Sequence, residues 1–72
     1  MPNKRVISYI VFITNKFSKH YGLPLNKAFI FLANYGVIQF LDENYEVEHQ
    51  LSPDDVIEDM ALIAEKNGGV LD

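Results

Sequence analysis

The sequence predicts an all-α fold, a compact bundle of three main helices plus one short helix, and three observations carry that expectation. Apolar residues recur at helical spacing in each main segment. Glycines and prolines stand where helices would stop or start. The last segment opens with a set of capping residues.

The first helix is expected over Arg5 to Tyr21. Val6, Tyr9, Ile10, Ile13, Phe17 and Tyr21 share one face at 3.6 residues per turn, and Ile7 and Val11 widen it. The β-branched run from Val6 to Ile13 would also suit a strand. It is nearly continuous rather than alternating, however, and Asn15, Lys16, Ser18 and Lys19 fall helically. Gly22 is placed to end the helix as a left-handed cap, and Pro24 prevents easy continuation. In the second segment, "LPLNKAFIFLANYG", Leu25, Ala28, Phe29 and Leu32 share a face and Gly36 supplies the stop. A short third helix is expected from Val37 to about Asn44, carrying Val37, Ile38, Phe40 and Leu41. The alternation in "EVEH" fits either a brief extended piece or another helical turn.

Ser52 can cap the last helix, Pro53 suits its first position, and Asp55 completes a Ser-x-x-Asp variant of the capping box. Val56, Met60, Ile63 and Ala64 form the expected buried stripe, flanked by Ile57 and Ala61. Lys66 and then Gly68-Gly69 close the helix, leaving Val70 to Asp72 as a loose tail. The expectation is one domain over residues 1–72, with an ordered core of about 5–67.

At 72 residues, one core supplies only about 3–5 kcal/mol of net stability, so a partner chain or very good helix packing has to help. There is no cysteine, which excludes disulfides and thiolate metal sites and fits a reducing compartment. Lys4 and Arg5 precede an apolar run, but no small-residue cleavage site follows. Ser8 interrupts that run, which is far short of the ~20 residues that span a bilayer. The expectation is a cytoplasmic chain without membrane contact. Charge is split: residues 1–41 carry Lys4, Arg5, Lys16, Lys19 and Lys27 and no acid, while residues 42–72 carry ten acids against Lys66, so +5 and −9 sum to −4. That balance disfavours nucleic acid, which rewards clustered basic residues. It favours a basic protein partner for the acidic half, or self-association.

The stretch "DENYEVEHQLSPDDVIEDM", residues 42–60, holds eight of the chain's ten acidic residues and one of its two histidines. Asp54, Asp55, Glu58 and Asp59 are accounted for by the start of the last helix, where the dipole favours carboxylates. Asp42 and Glu43 stand near the end of the third helix, and Glu46 and Glu48 read as solvated charges in the connection. His49 could ligate a metal with Asp54 or Glu46, but the other histidine is His20 and no zinc or calcium spacing is present. A structural hydrogen bond or exposure to water is the better reading of His49. No metal, cofactor or catalytic residue is therefore assigned. Ser52 is better used as a cap than as a nucleophile. Nothing in the sequence sets one carboxylate apart in pKa. Gly68-Gly69 follows a helix rather than preceding one, unlike a phosphate-binding loop.

More telling is the apolar excess. Phe12 falls on the polar side of the first helix, Phe31 lies beside Lys27 and Tyr35 away from the Leu25/Leu32 face, and Ile30 is also off the stripe. Either one helix is sandwiched on two sides, or Phe12, Phe31 and Tyr35 meet another chain. With Asp54, Asp55, Glu58 and Asp59 offering an acidic surface, these seven residues form the candidate interface.

Four short patterns carry a family resemblance: Val11-Phe12 on the first helix, Tyr35-Gly36-Val37 at a turn, Tyr45-x-x-x-His49, and Val56-x-x-Asp59 on the last helix. With them the chain resembles, over about residues 6–66, a family of small all-α bacterial domains of unknown function. It departs from that pattern at Glu48, where an apolar residue is usual, and at "QLSPDD", where a glycine-containing link is usual. Such domains are often encoded beside ADP-ribosyltransferase-like, toxin-type proteins, so the resemblance implies an antitoxin-like or accessory role. The expected function is a non-catalytic protein-interaction domain. The alternatives are a nucleic-acid-associated regulator using the basic half, with Leu25 to Leu41 as a helix-turn-helix-like pair, and a self-assembling structural protein.

Overall fold

Asn3 begins the fold: its side-chain Oδ1 accepts the backbone N–H of Val6 at 3.0 Å, capping a helix the sequence placed one residue later. The computed structural model describes residues 3–71. Five helices follow in order, α1 (Lys4–Tyr21), α2 (Leu25–Asn34), α3 (Val37–Glu43), α4 (Tyr45–Glu48) and α5 (Pro53–Lys66), with no strand among the described residues. The stretch "EVEH" resolves as a helical turn, α4. Among the described residues, no helix is long and apolar enough to cross a membrane.

The helix ends follow local chemistry. Gly22 takes φ +66° after α1, and Leu23 N–H donates to the Ser18 carbonyl at 2.9 Å while Gly22 N–H reaches Lys19. That pair of bonds is a Schellman closure, and the left-handed residue within it is one that only glycine adopts without strain. The same closure ends α5, where Gly69 N–H donates to Ala64 at 2.8 Å and Gly68 N–H to Glu65 at 3.0 Å. At the start of α5, Ser52 Oγ accepts the Asp55 N–H at 3.3 Å and Pro53 takes the first helical position.

The helix α1 is the hub: α2, α3 and α5 all pack on it. Ile13 and Phe17 of α1 meet Ala28 and Leu32 of α2, Val37 and Leu41 of α3, and Val56, Met60 and Ala64 of α5 in one buried cluster. The radius of gyration is 11.0 Å, matching the ~11 Å expected of a compact chain of this length.

Two details differ from the wheel-based expectations. In α2 the buried face is Ala28 and Leu32, while Leu25 and Phe29 lie outside it. Small Ala28 lets α2 sit close to its neighbours, and Phe31 turns inward to stack on Phe17 at 6.4 Å between centroids and 19° between planes. The tail differs as well. Gly69 is buried and Leu71 packs against the core, covering Phe31; Asp72 lies outside the described residues. Asn67 Nδ2–H donates to the Tyr35 carbonyl at 2.7 Å, tying the end of α5 to the α2–α3 turn.

A Cβ at position 69 would stand 3.0 Å from the Ala64 carbonyl oxygen, from Phe31 Cζ and from Tyr35 Cδ2. Gly69→Ala is therefore expected to lower the unfolding free energy by about 1–2 kcal/mol in urea denaturation. Gly22→Ala, whose Cβ would meet nothing within 4 Å, should cost about 1 kcal/mol through its positive φ alone.

Candidate functional site

Two features stand apart from the ordinary packing of the bundle, one ionisable and one apolar. The ionisable one forms where α4 crosses between α1 and α5. Glu48, the last residue of α4, is 5% exposed, and its Oε1 has no hydrogen-bond partner. Burial first, then a hydrogen bond with Asp59 and the charge of Asp59, push its carboxyl up from 4.5 to about 7. Near neutral pH a substantial fraction of Glu48 is therefore protonated.

Tyr9 of α1 completes the cluster. Its hydroxyl is buried without a partner, and burial, followed by the charges of Glu48, Tyr45 and Asp59, pushes it up to about 12. The Tyr9 ring meets Tyr45 edge-on at 5.5 Å, and Tyr45 in turn stacks on His49 at 4.4 Å and 8°. His49 Nδ1 lies 2.7 Å from the Tyr45 carbonyl oxygen, so Nδ1 carries the proton and donates it there. His20 is engaged elsewhere, edge-on to Tyr21 at 4.7 Å. Among the described residues, no three histidine, aspartate or glutamate side chains group to hold a metal.

The reading of Glu48 as a solvated connector charge, with no carboxylate set apart in pKa, is corrected here. α4 is helical rather than extended, and its turn carries Glu48 inward, out of water. Three surface cavities, of about 460, 380 and 480 Å³, are lined by residues other than Tyr9, Glu48 and Asp59, so the Glu48 carboxyl opens onto none of them.

The apolar feature is the outer side of α1 and α2. Val11, Leu25, Phe29 and Ile30 are each between 45% and 56% exposed and wall a groove of about 380 Å³, with Asn26 at its side and Thr14 at its floor. The Thr14 hydroxyl is buried there without a partner. Ile7, one turn before Val11, is exposed on the same side of α1. Helix α2 is consequently apolar on both faces, with Ala28 and Leu32 inside and Leu25, Phe29, Ile30 and Ala33 outside. A helix apolar all round is normally covered on all sides.

The sequence-derived interface residues are not brought together on one surface. Phe12 is half exposed, with the Lys16 ammonium 5.6 Å from its ring centroid. Phe31 and Tyr35 are half-buried, 5.0 Å apart between centroids, and packed against the core under the tail. Asp54, Asp55 and Glu58 are exposed on α5, and Asp59 is half-buried beside Glu48. Lys16, Lys19 and His20 of the basic half line a depression that Pro53, Asp54 and Ile57 close on the other side. The basic side of α1 therefore ends against an acidic residue rather than running on as a basic track.

Residues 8–67 match the family described as Protein of unknown function (DUF3791). The chain belongs to this family. No curated protein and no solved structure matches it. The family match takes in α1 from residue 8 and all of α2 to α5, so the carboxyl cluster and the residues lining the α1/α2 groove lie within the family region.

Glu48 keeps its proton to about pH 7 in the native state, whereas the unfolded chain releases it near the ordinary 4.5. The native state therefore binds more protons between those values. This contribution to stability is fully present below about pH 4.5, falls across the window, and is lost above about pH 7. Glu48→Gln is expected to raise stability at pH 8 by about 1–2 kcal/mol and to flatten that window in thermal melts. Tyr9→Phe removes an unpartnered buried hydroxyl, so its unfolding midpoint should match or exceed that of the parent, by up to about 1 kcal/mol.

Proposed function

We propose that the chain is a non-catalytic protein-interaction domain whose binding surface is the outer side of α1 and α2. The observation that supports it is the second apolar face of α2, where Leu25, Phe29 and Ile30 stand in water beside Val11. Contiguous apolar patches of a few hundred Å² on a small domain mark protein contacts. The ionisable cluster does not compete with this reading, since its proton is buried between helices and opens onto none of the three cavities. The resemblance to domains encoded beside ADP-ribosyltransferase-like, toxin-type proteins makes an antitoxin-like or accessory role the first class of partner to look for.

Affinity purification of the tagged chain from its host, with mass spectrometry and an absorbance check for nucleic acid, tests this surface. A protein held in stoichiometric amount by the parent, and lost by at least about tenfold in Phe29→Asp or Ile30→Asp with helicity unchanged, is the expected result. A second copy of the chain counts as such a protein. Retention of the same protein by both variants would place its contact elsewhere. Nucleic acid recovered in its place, and released as salt rises, would favour the regulator reading.

A further inference from the structure

We infer that the occupant of the α1/α2 face is a second copy of this chain, docked about a two-fold axis that passes beside Phe29. This rests on the reading of that face as a protein-binding surface and specifies the partner.

The charge pattern singles out a two-fold. Across such an axis each residue lies near its own copy, so a charge at the centre would face a like charge. The outer face of α2 carries none. Leu25, Asn26, Phe29, Ile30 and Ala33 cover roughly 140° of the helix. Lys27, the single charge on α2, lies on the other side, past Ile30. Residues 1–41 are otherwise basic without a single acid, so a partner chosen by charge would have to be acidic, yet the groove walls offer no lysine or arginine to meet one. Small Ala33, one turn after Phe29, lets a second α2 approach closely.

The area is sufficient as well. At about half exposure each, Val11, Leu25, Phe29 and Ile30 present on the order of 350 Å². Ile7, Asn26 and Ala33 bring the face to roughly 500 Å² per copy, and the two copies together to about 1,000 Å², the lower bound of a specific interface. An interface of that size belongs with weak, transient associations, so the dimer is sought at high micromolar to millimolar chain concentrations.

Sedimentation equilibrium of the purified chain from about 10 μM to about 1 mM reads this directly. The expected result is a monomer–dimer equilibrium in the parent chain. Phe29→Asp and Phe29→Lys should each be folded by circular dichroism and weakened at least about tenfold, while their equimolar mixture dimerises again because the opposite charges meet across the axis. If either Phe29 variant is unfolded, Ile30→Asp and Ile30→Lys read the same geometry. Leu62→Ser, on the exposed side of α5, should leave the equilibrium unchanged. A parent that stays monomeric throughout overturns the proposal, as do charge variants that dimerise like the parent. Mixtures that remain monomeric for both the Phe29 and the Ile30 pairs overturn the two-fold. A monomeric parent that still captures a different protein through Phe29 would sink the dimer and leave the interaction surface standing.

Discussion

The bundle depends on the aromatic column that starts at Phe17. This ring has no exposed surface and touches Tyr21 at 4.8 Å and Phe31 at 6.4 Å, and Phe31 passes the contact to Tyr35 at 5.0 Å. Four aromatic rings, two from α1, one from α2 and one from the turn after it, thereby fix how α2 leans on α1. Gly69 then closes over the far end of the column, where its missing Cβ is the space that Phe31 and Tyr35 occupy. Turning Phe31 inward has a cost on the other side of the helix. At 100° per residue, pointing position 31 at Phe17 leaves Phe29 and Ile30 pointing away from it. The exposed face of α2 is thus the geometric complement of the interior aromatic column.

The two unusual features of the molecule lie on different helix pairings. The carboxyl cluster joins α1, α4 and α5 through Tyr9, Glu48 and Asp59, and the apolar groove joins α1 and α2. They share only α1. One concerns how firmly the α4–α5 side is held at a given pH, and the other concerns what the α1–α2 side meets. Burying the Glu48 carboxyl beside Asp59 is tolerable because Glu48 holds its proton up to about pH 7, so the buried group is uncharged below that.

Much of the architecture was legible in the sequence because its signals are local. Gly22, Gly36, Ser52 and Pro53 act within one helical turn of their own positions, so helix ends could be read directly. The interior stripe of α5, from Val56 through Met60 to Ala64, was equally plain, because the apolar residues of that helix other than Leu62 gather on one arc. Helix α2 was ambiguous for the opposite reason. Its sequence has two apolar arcs, and the choice of Ala28 and Leu32 over Leu25 and Phe29 is made by the fit to Phe17 on another helix. Phe31 looked like surface and is packed, whereas Phe29 looked like core and is exposed. Burial of Glu48 was illegible from periodicity, since α4 is a single turn and its partner Asp59 lies on the next helix. The inward fold of Gly69 to Leu71 had no local signal beyond the two glycines.

The links between successive helices are very short: residues 22–24, 35–36, 44 and 49–52. Neighbouring helices can therefore find one another with little loss of chain entropy, and α1 with α2, or α2 with α3, can dock early and quickly. The meeting of α1 with α5 is different in kind, because residues 22–52 lie between them and that whole loop has to close. That docking event completes the core and brings Asp59 to Glu48.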